Sequence, residues 1–207
     1  KKTDYLLIFD ADDTIIGDFQ LPETLMFDAY YFNFGKDIKY TRPLLINNHK
    51  KWKFESVIHE YLVECESNIK YGNLDGNYYV DSGRQGSRNN DPEKYLKDAK
   101  ILEEAFLQAE IDNNPLKNRY AFYTANSYFD YRDYDNALIW YKKVLILDNW
   151  VQEKYIACLK IALIYKMLND NVNQVYYNLQ SFHYDPKRIE GICSIIMYYA
   201  NLDQNDI

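Results

Sequence analysis

The chain has 207 residues, 47% of them hydrophobic, with a formal net charge of -7 and a pI near 5.0. That is enough apolar material for one large domain or two small ones, and the acidic balance excludes general nucleic-acid binding, which needs clustered Lys and Arg along a phosphate track. No run approaches the roughly 18 apolar residues of a membrane span, Lys1-Lys2-Thr3-Asp4 lacks the form of a signal peptide, and Cys65, Cys158 and Cys193 show no spacing for a zinc site or a disulfide framework. The expectation is a cytosolic chain with reduced, buried thiols.

The first element is Tyr5-Leu6-Leu7-Ile8-Phe9, which ends abruptly in Asp10-Ala11-Asp12-Asp13. A continuous apolar run closed by acids predicts a fully buried strand that delivers carboxylates to the carboxyl edge of a sheet, where open α/β sheets bind ligands. Asp10 and Asp12 are two apart, so a turn just past the strand is needed to bring them together. Hard oxygen ligands at such a place suit Mg²⁺ or Mn²⁺ with a phosphate. A surface turn after a buried strand is the plainer reading.

Thr14 to Met26 predicts a loop with a short helix broken by Pro22. Ala29 to Phe34 is aromatic and strand-like, Gly35 to Asp37 is a turn, and Ile38 to Ile46 is a strand whose Pro43 favours an edge. After a turn at Asn47 to Lys51, Trp52 to Val63 predicts another strand, on which His59 and Glu60 alternate faces. Residues 66–92 predict a polar connector, the Gly-rich stretch of the chain. Arg84 and Arg88 within it, flanked by glycines that allow close backbone approach, suit a diphosphate or sugar clamp.

From Asp91 the period becomes 3.6. Asp91 as cap and Pro92 at the first helical position predict a helix start, with Tyr95, Leu96, Ala99, Leu102, Ala105, Phe106 and Ala109 as its apolar stripe. A helix pair follows from about Asn118, turning at Tyr131 to Tyr134, and a third unit from about Val151, with Ala162 and Tyr165 matching Ala125 and Tyr128 at an offset of 37. A last helix follows Asp185-Pro186. The stops at Asn113, Asp148 and Tyr184 recur every 35 or 36 residues, a spacing that resembles tetratricopeptide repeats.

Two families own strings like Asp10-Ala11-Asp12-Asp13-Thr14. It resembles the first motif of haloacid-dehalogenase-type phosphatases, which implies Asp10 as nucleophile and Asp12 as the proton-handling acid. That fold also needs later strands and a second acidic strand end, which the helical tail leaves no room for. The string also resembles the DxD motif of glycosyltransferases with the GT-A fold. Arg42-Pro43-Leu44-Leu45-Ile46 with Trp52 to Leu62, and the junction from Ser82-Gly83-Arg84 through Tyr95, are similar to family-2-like GT-A enzymes carrying a C-terminal repeat tail.

The second resemblance implies a partial GT-A-like α/β segment at 1–65, the connector at 66–92 and a tetratricopeptide-like solenoid at 93–207. It implies Asp10, Asp12 and His59 as ligands of Mn²⁺ or Mg²⁺, Glu60 or Asp13 as the base for an acceptor hydroxyl, and Arg84 and Arg88 as contacts to the nucleotide-sugar donor. The acceptor is a glycan, lipid or protein, and the repeats either engage a protein partner or buttress the first segment. In that family the nucleotide-binding strands precede the DxD strand, whereas nine residues precede Asp10 here, so the chain is expected to be the C-terminal part of a larger enzyme, inactive by itself. A non-enzymatic repeat scaffold is the remaining alternative.

Overall fold

The computed structural model describes residues 3–36, 39–83 and 90–205. The chain divides into two compact units, Lys1–Pro92 and Glu93–Ile207. The first is a curled mixed sheet with a small hairpin, the second a set of six helices.

The strands of the first unit are β1 (Tyr5–Leu7), β2 (Thr14–Asp18), β3 (Ala29–Phe34), β4 (Tyr40–Asn47), β5 (Trp52–Glu55), β6 (Tyr61–Glu64), β7 (Tyr71–Asn73) and β8 (Asn77–Asp81). The large sheet runs β1-β4-β3-β8-β2, with β7 also paired to β3, and β5 and β6 form a separate antiparallel pair. β3 lies along β4 in antiparallel register and takes β7 and β8 in parallel on its other edge. Its alternation sends Tyr30, Phe32 and Phe34 into the core, where they meet Leu44, Leu45, Leu74, Tyr78 and Val80. Phe19 seals this cluster, its ring centroid 5.2 Å from that of Phe32 and 4.9 Å from that of Tyr78.

Four expectations for this unit need correction. The opening apolar run is a three-residue edge strand, not a buried one: β1 pairs with β4 alone, and Leu6 and Leu7 are 43% and 51% exposed. An apolar run states what a segment contains but not whether anything covers both of its faces. No helix forms between Thr14 and Met26; β2 pairs instead with β8. Pro43 lies in a strand flanked on both sides, yet it sits opposite Tyr31 where the β3–β4 register shifts, beyond the reach of β1, which ends opposite Leu45. Its missing N–H is thereby tolerated. Finally, residues 66–92 are not a mere connector, because β7 and β8 belong to the sheet and Leu74, Tyr78 and Val80 to its core. The surrounding Gly, Asn and Asp masked a short strand signal in Tyr78-Tyr79-Val80.

The second unit holds α1 (Lys94–Ile111), α2 (Leu116–Tyr131), α3 (Tyr134–Ile146), α4 (Val151–Met167), α5 (Asn171–Tyr184) and α6 (Glu190–Asn205). Helix α1 begins two residues later than Pro92 and is preceded by Glu93, so Asp91 is not its cap; Ala99, Leu102, Phe106 and Ala109 carry its buried stripe, while Tyr95 is exposed. The turns α2–α3 and α4–α5 are built alike. Arg132 and Asn169, 37 residues apart, take φ of 69° and 58°. The next residue's N–H reaches back into the helix, Asp133 to Tyr128 O and Asp170 to Tyr165 O, each at 2.9 Å. Asp133 and Asp170 then cap the following helices, accepting from the N–H groups of Asn136 and Asn173 at 3.1 and 3.0 Å. The three thiols do not share one environment: Cys158 is buried, Cys193 half-buried and Cys65 exposed. Among the described residues no helix is long and apolar enough to cross a membrane.

The end of α6 nearest its start is tied to α4 by Glu190, which accepts from Tyr155 Oη at 2.7 Å and from Arg188 Nε at 3.0 Å. These bonds, Arg188's first, hold the Glu190 carboxyl down at about 2. A carboxylate depressed below its unfolded value near 4.3 stabilises the fold above that value and loses the contribution as pH falls towards 2. Glu190→Gln is expected to lose this contribution at pH 7, a modest loss because the pair is half exposed, and to converge with the unmodified chain towards pH 2.5, so that its acid limb in urea melts between pH 5 and 2.5 is flatter; an unchanged acid limb would count against the linkage.

A second expectation concerns glycine. Gly17 has φ of +97°, and a Cβ there would stand 2.3 Å from Asn77 O, whereas a Cβ on Gly72 meets only the ring of Phe27, a half-exposed side chain able to move. Gly17→Ala should cost upwards of about 1–3 kcal/mol of stability and clearly exceed Gly72→Ala in the same denaturant titration; equal costs would show that the left-handed backbone is not the constraint.

Candidate functional site

Past β1 the chain stays tethered to the sheet through the Ile8 N–H, which donates to Leu44 O at 2.8 Å. It then reverses in a four-residue turn closed by the Asp13 N–H on Asp10 O at 3.1 Å, and enters β2 at Thr14 opposite Asp81. A turn of this kind brings its first and fourth residues together and sends the two corner residues elsewhere. Asp10 and Asp13, rather than Asp10 and Asp12, therefore share a cleft of 280 Å³, together with Ile8, Arg42, Leu44, Phe54 and Glu60.

Asp13 is the best anchored of these acids. Its carboxylate accepts from the Gly83 N–H and the Ser82 hydroxyl, at the end of β8, and it feels the charge of Arg42 on β4. Partial burial and then the negative charge of Asp10 nevertheless push its carboxyl above the ordinary range, against these three opposing influences. Gly83 is needed at this place: a Cβ on it would lie 2.1 Å from Asp12 O. The guanidinium of Arg42 rests over the Phe34 ring at 5.2 Å, which fixes it on the wall of the cleft.

Phe54 on β5 and Glu60, just before β6, also line the cleft. Residues 56–59 bend sharply between these strands, with φ of 90° at Ser56 and 53° at His59, and Ser56 Oγ donates to Ile58 O at 2.5 Å. His59 and Glu60 are thus loop residues, not alternating strand residues as the sequence suggests, and the loop hands Glu60 to the cleft. Polar side chains outnumbering β-branched ones around Ser56 was the signal for that turn. Positive φ in residues other than glycine is a strained arrangement that gathers at functional loops.

Of the residues singled out by sequence, Asp10, Asp13 and Glu60 come together, and Asp12 and His59 are not part of the cleft lining. Among the described residues no three His, Cys, Asp or Glu side chains form a metal-holding group, so the trio Asp10, Asp12 and His59 is not assembled. Arg84 and Arg88 lie outside the described residues. Arg42, Ser82 and Gly83 carried no assigned role in the sequence reading; their part follows from strand pairing across β4 and β8, which spacing in one sequence does not reveal.

The chemistry of the cleft is that of two carboxylates at one turn, a third across the gap and one cation. Asp10 and Asp13 oppose each other electrostatically, which a divalent cation relieves. Mg²⁺ and Mn²⁺ are commonly held by one or two carboxylates with substrate phosphates completing the shell, so these residues fit a two-carboxylate site of that kind.

No family model matches the sequence, and no curated protein matches it at a significant level.

The couplings at Asp13 give a direct check in metal-free buffer. Asp10→Asn removes a charge that raises the Asp13 carboxyl and should bring its midpoint down; Ser82→Ala removes a hydrogen bond to the charged form and should push it further up. Carboxyl-carbon NMR titration reads both, and shifts in the opposite directions would disprove this arrangement.

Proposed function

We propose that the chain serves nucleotide-sugar-dependent glycosyl transfer of the family-2-like, GT-A type, holding the cation and the acceptor. The observation that carries the proposal is the cleft in which Asp10, Asp13 and Glu60 face Arg42. Asp10 and Asp13 would hold Mn²⁺ or Mg²⁺, which supplies charge stabilisation for the departing diphosphate. In the transfer, the acceptor oxygen bonds to the anomeric carbon, the carbon–oxygen bond to the diphosphate breaks with its electron pair leaving on the nucleotide, and Glu60 takes the acceptor proton. Arg42 adds a fixed positive charge beside the reacting groups.

The twin turns at Asp133 and Asp170, 37 residues apart, support a tetratricopeptide-like reading of the helical unit, as an arm for a protein partner. The exposed, unpaired thiol of Cys65 supports a reducing, cytosolic setting. A phosphatase with Asp10 as nucleophile has less support, since β1 is an edge strand antiparallel to its one neighbour and no α-helix lies among the described residues of the first unit.

Mn²⁺ titration followed by water-proton relaxation tests the cation site. Binding is expected for the unmodified chain, strengthened by a nucleoside diphosphate and weakened at least about tenfold, or roughly 1.4 kcal/mol, by Asp10→Asn and by Asp13→Asn. Mn²⁺ affinity indifferent to both substitutions, or absent with folded protein and nucleotide present, would overturn the proposal.

A further inference from the structure

The acidic cleft does not end at Glu60. It continues into a second space of 300 Å³ that shares Ile8, Arg42, Leu44, Phe54 and Glu60 with it and adds an aromatic wall of Tyr31, Tyr61 and Tyr71. Phe54 lies on the boundary of the two and is 53% exposed, whereas Trp52, on the same side of β5, is partly buried.

The tyrosine rings are held in place before anything binds. Tyr31 and Tyr71 stack at 5.3 Å with 26° between their planes. Tyr71 Oη donates to Glu64 at 2.6 Å, and Tyr61 Oη donates to Glu55 at 3.1 Å. Both hydroxyls are turned to carboxylates of the β5–β6 hairpin, which fixes the rings at little entropic cost to a ligand. The result is a preformed aromatic surface in a space that Glu60, Arg42 and Thr41 also line.

We propose that this aromatic extension is a glycoside-binding subsite: a pyranose ring lays its C–H face on Phe54 and turns a hydroxyl to Glu60. The class follows from the mixture of surfaces. A pyranose is apolar on its ring faces and polar around its rim, and a small number of placed polar groups at the border of an apolar wall is what orients such a ligand. A lipid chain would cover Glu60 and Arg42 without offering either a partner, at the cost of desolvating two charged groups. The volume is at the lower end for small-molecule sites, which suits one sugar residue or two. The subsite rests on the glycosyltransferase reading only for the role of its occupant, which is then the acceptor; a glycan acceptor is selected over lipid or protein.

Saturation-transfer NMR on the whole chain, with methyl glycosides of glucose, galactose, mannose, xylose and N-acetylglucosamine as probes, tests it. At least one glycoside should bind, with the strongest transfer to its C–H face. Phe54→Ala should weaken binding roughly tenfold, the scale of one lost ring contact, and Phe54→Tyr should retain it. Binding by none of the probes, or binding indifferent to Phe54→Ala, or equal loss in the folded Phe54→Tyr protein, overturns the subsite. Mn²⁺ binding measured on the same samples separates the two readings. Glycoside binding without an Asp10-dependent cation site keeps the subsite and removes the transferase; a cation site without glycoside binding removes the subsite alone.

Discussion

The large sheet of the first unit hangs from β3. This six-residue strand spends both of its hydrogen-bonding edges, on β4 along one side and on β7 and β8 along the other, and sinks alternate side chains into the core. Three elements of the cleft inherit their positions from it. Arg42 faces Phe32 in the β3–β4 register and rests on the neighbouring Phe34 ring. The end of β8, aligned through Val80 against Phe34, brings Ser82 and Gly83 to Asp13. The Asp10–Asp13 turn is held between β1, anchored on β4, and β2, anchored on β8. Two carboxylates are thereby kept close despite their mutual repulsion, because the backbone, not the side chains, sets their separation.

How much of this the sequence revealed depends on the range of the interaction. Short-range chemistry was legible: the aromatic strand β3, the Tyr131 to Tyr134 turn, much of the apolar stripe of α1 and the helix after Pro186 all follow from patterns within a dozen residues. Pairing partners were not. Nothing near Tyr5 says that β1 meets β4 rather than a buried neighbour on each side, and nothing near Asn77 says that a stretch among glycines and aspartates joins β2 and β3. The site suffered in proportion. Asp10, Asp13 and Glu60 were singled out through a family resemblance, but that Asp13 rather than Asp12 joins Asp10 in the cleft depends on a turn closed by one backbone hydrogen bond, and the place of Glu60 depends on a loop that was read as strand.

The cleft also shows how an acidic protein makes a local surface of mixed character. Carboxylates gather at one end, a guanidinium rests on a ring, and Tyr61 and Tyr71 of the extension direct their hydroxyls to the hairpin carboxylates. Charge, cation and apolar face are thus separated along a short distance, so a ligand with an equally graded surface is favoured in only one orientation.

The paired turns of the helical unit have a different consequence. Arg132-Asp133 and Asn169-Asp170 repeat one backbone conformation and one capping bond at an interval of 37 residues, so the instruction for reversing the chain is written locally and twice. A cassette of that length, inserted or removed in step with the turn, would present each neighbour with the same junction it had before. Gene duplication and loss can therefore lengthen or shorten this arm without rewriting its joints, while the sheet, whose strands pair across the whole of its sequence, has no such freedom.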